Sequence, residues 1–156
     1  MFRKMRRHAQ QLDTQTCKDI LKRAPRGVLS LEGDNGYPYG IPINFTYEDN
    51  RFYFHGAREG HKIDAIARNP KASLCVLDEG VKNEGEWWWC FNSVIVFGHI
   101  RIVEDETEIE KALRAIGEKY FPTNYDLEAD IAKNLSRVRI LALEIDHMTG
   151  KAVREK

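Results

Sequence analysis

The chain has 156 residues, with 24 Lys plus Arg balancing 24 Asp plus Glu, so its formal net charge is zero. A chain of this length forms a single domain over residues 1–156, and without a basic excess it has nothing to follow a phosphate backbone, which argues against nucleic acid as a partner. Hydrophobic residues at 42% and charged residues at 31% exclude a disordered chain, and the longest apolar stretch, around Val94–Phe97, is far too short to cross a membrane.

Asp13 is placed to cap a helix with Cys17, Ile20, Leu21 and Ala24 on one face, ended by Pro25. From Gly27 the period changes to that of a strand. Val28, Leu29 and Leu31 lead into Gly33-Asp34-Asn35-Gly36, whose Asn-Gly step suits a tight hairpin turn. Tyr37–Tyr47 is the expected return strand. Pro38 and Pro42 cannot donate to a ladder, so this strand belongs at an edge or carries a bulge, leaving backbone free to meet a ligand. Glu48-Asp49-Asn50 is a second turn. Strand Arg51–Ala57 follows, with Phe52 and Phe54 on one face and Tyr53 and His55 on the other.

Gly56 and Gly60 bound a break before a short helix, His61–Arg68, which Asn69-Pro70 stops. Ala72–Leu77 is a fourth strand, Glu79–Glu86 a loop, and Trp87–Val103 a long β-rich segment. Asp105 resembles an N-cap for the longest helix, with Ile109, Ala112, Leu113, Ile116 and Tyr120 in a stripe. Leu127, Ile131 and Leu135 mark another helix before a last strand at about Val138–Asp146. Some six strands with peripheral helices predict an α+β protein whose antiparallel sheet closes or nearly closes into a barrel.

The segment Tyr53–Lys62 carries the most chemistry. A strand delivers His55, glycines allow close backbone approach, and a helix opens beside His61 and Lys62, where unpaired amides and a cation favour an anion such as phosphate. On spacing alone, Arg58 and Lys62 read first as solvated helix-start charges, and His55 is more often a hydrogen-bonded sheet histidine than a catalyst. His8, His99 and His147 have no ligand-like spacing, and the three cysteines form no Cys-x-x-Cys pair. Neither a metal site nor a disulfide framework is expected. Trp87-Trp88-Trp89 and the Ser93–Phe97 strand suit a core, a dimer seam or an aromatic ligand.

These residues, in this order, resemble the pyridoxamine-phosphate-oxidase-like, FMN-binding split-barrel proteins, and among them the nitroimidazole-resistance flavoproteins. The matching elements are Met5-Arg6-Arg7, Gly27–Ser30, Gly36–Tyr39, Ile41–Phe45, Tyr53–His55, Gly60–Lys62, Ser93–Gly98 and Ile145–Lys151. The resemblance implies a six-stranded antiparallel split barrel, a homodimer with flavin sites at its interface, and FMN as cofactor, with FAD or haem as the alternatives the family also uses. By residue, it implies that Lys62 and His61 hold the phosphate and that His55, Gly56 and Ala57 line the ribityl and ring side. Pro42, Ile43 and Asn44 approach the ring through backbone groups, Ser93 and Val94 face the site, and His55 stands near the substrate. The implied activity is cytoplasmic FMN-dependent reduction of nitroaromatic or other small aromatic compounds. A non-catalytic flavin or haem carrier or sensor is the alternative.

Overall fold

The computed structural model describes residues 1–135 and 137–154. Helix α1 (Thr14–Arg23) starts as expected, with the Asp13 carboxylate accepting from the Thr16 amide, and buries Cys17, Ile20 and Leu21. Strands β2 (Arg26–Glu32) and β3 (Pro38–Asn44) form the first hairpin, and Asn35 and Gly36 take positive φ at its turn. Strands β4 (Thr46–Glu48) and β5 (Arg51–Gly56) form the second, with Asp49 and Asn50 both left-handed. Helix α2 (His61–Arg68), strand β6 (Lys71–Leu77), strand β7 (Phe91–Ile102), helices α3 (Glu106–Tyr120) and α4 (Leu127–Asn134) and strand β8 (Arg139–Val153) complete the order, with a two-residue β1 (Gln11–Leu12) at the start.

The sheet runs β3-β2-β6-β7-β8-β5-β4, with β1 added to β8, so it has eight strands against the six expected from sequence. Two differences account for the count. The Tyr37–Tyr47 segment divides at Phe45 into β3 and β4, and the two residues of β1 are too short to show a period. β3 is an edge strand, the place that Pro38 and Pro42 call for. The Trp87–Trp89 run is not strand: β7 begins at Phe91, and Trp87 and Trp89 stand exposed in the preceding loop. β8 runs on to Val153, well past Asp146.

β3 and β4 lie at opposite ends of the strand order yet are joined through one residue, Phe45. The sheet therefore curls until its two edges meet, which makes it a barrel split along the β3/β4 seam. Phe45, Phe52 and Phe54 are fully buried within it, with Leu29, Leu74, Val76, Val94 and Leu143. A bulge between Phe97 and Gly98 helps bend β7 against β8. A Cβ on Gly98 would overlap the Glu144 carbonyl oxygen, so only glycine fits the bulge.

Helix α3 closes the outside of the barrel. Its first turn is capped by Asp105, and Glu108 accepts hydrogen bonds from Arg101 at 2.7 and 3.1 Å, from Tyr53 at 3.0 Å and from Arg51 at 3.2 Å. Its last turn clamps the seam. Lys119 Nζ donates to the carbonyls of Ala24 at 2.7 Å and Phe45 at 2.9 Å, and lies 4.3 Å from the Phe45 ring centre. The Tyr120 hydroxyl accepts from the Phe45 amide at 3.0 Å and donates to the Pro25 carbonyl. Tyr120→Phe would leave these two backbone groups unmatched and is expected to lower stability by about 1–3 kcal/mol, read as a fall in the urea midpoint without a change in slope.

Candidate functional site

Strand alternation sends Phe52 and Phe54 into the barrel and His55 outward, on the face covered by α3 and α4. The His55 ring stands at the mouth of a cavity of about 360 Å³, lined also by Asn44, Leu113, Ile116, Gly117, Tyr120, Phe121, Asp130, Ile131, Asn134 and Val138. Loss of water around His55 depresses its pKa below the usual imidazole range, and the nearby Lys62 charge depresses it further. The ring is therefore neutral near pH 7.

Lys62 reaches back from the first turn of α2 over Gly56. A Cβ placed on Gly56 would lie 3.1 Å from its Nζ, so the glycine makes room for the ammonium. Burial lowers the pKa of Lys62, and among the described residues no carboxylate or carbonyl pairs with it. Gly60 caps α2 with φ +118°, and its carbonyl accepts from Ile63 and Asp64. The first two amides of the helix, those of His61 and Lys62, lie ahead of these bonds at the positive end of the helix dipole. A half-buried, unmatched ammonium beside glycine backbone and open amides fits the phosphate of a nucleotide cofactor.

The other sequence candidates occupy different positions around this centre. The His61 ring is turned away, stacked on Tyr39 at 4.0 Å between centres, with Nε2 3.4 Å from Asp34 Oδ2. Only its amide remains for the loop. Pro42 and Asn44 point outward from the edge strand, Ile43 packs toward the core, and Ala57 is exposed in the turn after β5. Ser93 and Val94 lie on β7, two strands from β5 with β8 between them, and Val94 is fully buried within the sheet. Within one chain, Asn44, His55, Gly56 and Lys62 come together, whereas Ser93 and Val94 sit apart from them.

Sequence reasoning missed the wall that α3 and α4 build opposite His55. The stripe of Leu113, Ile116 and Tyr120 reads as ordinary core packing, and nothing in its spacing shows that Leu127 would seat against Gly117 and leave a hollow alongside. Among the described residues no three His, Cys, Asp or Glu side chains converge to hold a metal ion, and no helix is long and apolar enough to cross a membrane.

An antiparallel barrel split at one seam, with an anion-receptive glycine loop at the start of a helix, defines the class of split-barrel proteins. The chain belongs to the pyridoxamine 5'-phosphate oxidase family, whose sequence profile matches residues 13–152. No curated protein matches the sequence. Among solved structures it is similar to a candidate 5-nitroimidazole antibiotic resistance protein from Bacteroides thetaiotaomicron, at 26% identity over 91% of this chain and 86% of that one, with a TM-score of 0.76. In fold it also matches a FAD-binding protein from Mycobacterium smegmatis, at 22% identity over 94% and 99% of the two chains with a TM-score of 0.69. A flavocytochrome from Azotobacter vinelandii matches at 23% identity over 97% and 72%, with a TM-score of 0.76.

The depressed His55 pKa has a sign that can be checked. Between its folded value and about 6.5 the unfolded chain holds a proton that the folded chain does not, so this group's contribution to stability is present above pH 6.5 and is lost as pH falls through the folded pKa. In a proton NMR titration the His55 ring should titrate below 6.5, and Lys62→Met should raise the midpoint only part of the way, because desolvation is the larger cause.

Proposed function

We propose that the protein is an FMN-dependent oxidoreductase that reduces nitroaromatic or other small aromatic compounds. The observation that carries this reading is the half-buried Lys62 ammonium, unmatched among the described residues, standing over Gly56 at the open end of α2 and next to His55. The similarity to the Bacteroides thetaiotaomicron protein supports the choice of substrate class. Lys62, with the His61 and Lys62 amides, would hold the phosphate, and Gly56 and Ala57 would let the ribityl chain lie close to the backbone. Pro42, Ile43 and Asn44 would border the ring system through main-chain groups, on the open side of an edge strand.

When bound, a flavin supplies two-electron chemistry between a reduced donor and an acceptor; the chain's own residues bind and orient. The neutral His55 imidazole can accept a hydrogen bond from substrate, or donate one to it, at the cavity mouth. The apolar wall of Leu113, Ile116 and Ile131 keeps water from the ring it receives.

The reading extends to a homodimer. The outer face of β2, β6 and β7 exposes Val28, Leu77, Ile95 and Phe97 at 38–49%, in cross-strand rows that continue through Cys75. Phe2 stacks on Phe97 and His147 at the margin, and Trp87 and Trp89 project from the loop before β7. A second copy against this face would bury the patch and bring its Ser93 and Val94 backbone toward the flavin site.

The test is the visible spectrum of the purified protein, followed by binding of FMN and riboflavin to wild type and Lys62→Ala. Flavin absorption is expected, with FMN weakened about ten- to a hundredfold by the substitution and riboflavin nearly unchanged. A haem band in place of flavin, or equal losses for both ligands, would overturn the assignment.

A further inference from the structure

The cavity beyond His55 differs in charge from the loop that precedes it. Lys62 and two helix amides make the loop receptive to an anion. Among the described residues that line the cavity, only Asp130 carries a formal charge at neutral pH, and that charge is negative. Asp130 lies half-buried on α4. Its Oδ1 accepts from the Tyr125 hydroxyl at 2.8 Å and from Asn134 Nδ2 at 3.0 Å, while Oδ2 has no hydrogen-bond partner among the described residues. The two donors hold the carboxylate in one orientation and leave an oxygen for a ligand. Asn44 and Asn134 contribute neutral amides to the lining, and Leu113, Ile116, Tyr120, Phe121, Ile131 and Val138 make its apolar and aromatic walls.

At about 360 Å³ the hollow is the size of a single substituted ring, since engineered apolar cavities of about 150 Å³ already admit benzene. Helix α3 is tied at one end through Glu108 and at the other through Lys119 and Tyr120, and Leu127 of α4 packs against Gly117. A phosphate ester placed here would lose hydration against apolar side chains and meet a like charge, with no cation among the described lining residues to offset it.

We propose that this cavity is the substrate pocket and selects uncharged or cationic single-ring aromatic compounds over phosphorylated ones, with Asp130 as the specificity-determining residue. The proposal rests on the flavin site assigned above, because it places the ring beside His55. It sets this chain's substrate apart from a pyridoxamine phosphate, despite the family to which the chain belongs.

The test uses three compounds that share one ring: benzyl alcohol, benzylamine and benzyl phosphate. Their binding to the full-length protein is measured by isothermal titration at pH 7 with FMN at saturating concentration, so that the Lys62 loop is filled. Benzyl alcohol and benzylamine are expected to bind, and benzyl phosphate at least tenfold more weakly. Asp130→Asn, which keeps an oxygen for Tyr125, should cut the preference for amine over alcohol at least fivefold. Leu113→Trp, which fills the hollow, should weaken all three, with melting temperature confirming that the variant is folded.

Tightest binding of the phosphate, no binding of any ring, an unchanged amine-to-alcohol ratio in Asp130→Asn, or undiminished binding by folded Leu113→Trp would each overturn the proposal. If the protein takes up no FMN, the flavin assignment has failed on its own. The same series run on Lys62→Ala protein, whose loop draws phosphate more weakly, still reads the pocket.

Discussion

The backbone of Phe45 is the point on which the architecture turns. A barrel split between its edge strands must leave N–H and C=O groups at the seam without ladder partners, and buried backbone groups cannot stay unmatched without a cost of about 1–3 kcal/mol each. Two successive side chains at the end of α3 meet that demand: Tyr120 takes the Phe45 amide, and Lys119 fills its carbonyl while also tying down Ala24. Desolvation brings the Lys119 pKa down to about 8, so the ammonium persists at neutral pH while held by carbonyls and aromatic faces and not by a carboxylate. Because α3 is held there, its middle turns stand at a fixed distance from His55, and the cavity exists as a consequence of closing the barrel.

Much of the local structure was legible from residue types. Asn35-Gly36 and Asp49-Asn50 took the positive φ values that their chemistry favours, Asp13 and Asp105 capped the helices they precede, and Pro38 and Pro42 marked a true edge. The alternation of Phe52, Phe54 and His55 placed the histidine outside the barrel. What stayed hidden depends on contacts distant in the chain. The bulge at Gly98 is set by the carbonyl of Glu144, and β1 forms only because β8 is there to receive it. A lysine in the last turn of a helix usually faces water near the dipole's negative end, so nothing in its local sequence marks Lys119 as a seam clamp.

The candidate site shows the same division. The glycine-bounded loop with Lys62 was readable because helix N-termini and cations have a local signature. Asp130 and the α4 wall were not, since an acidic residue in the first turns of a short helix is the commonest of surface patterns. The Trp87–Trp89 run went the other way: three aromatics suggest a strand by propensity, but the bridge between Val81 and Cys90 closes a loop that carries Trp87 and Trp89 into solvent.

The placement of β8 bears on how the protein is made. Among the described strands it is the last to leave the ribosome, yet it lies inside the sheet, joining β7 to β5 and receiving β1 from the opposite end of the chain. Until Arg139–Val153 has emerged, the β4–β5 hairpin has no ladder to the rest of the sheet, and the long flank of β7 is an open edge. Such flanks pair readily with one another, so nascent chains are exposed to mutual association from the time β7 is free until β8 covers it. Closure of the barrel therefore waits on β8, the strand that ties both the β4–β5 hairpin and β1 to the rest of the sheet.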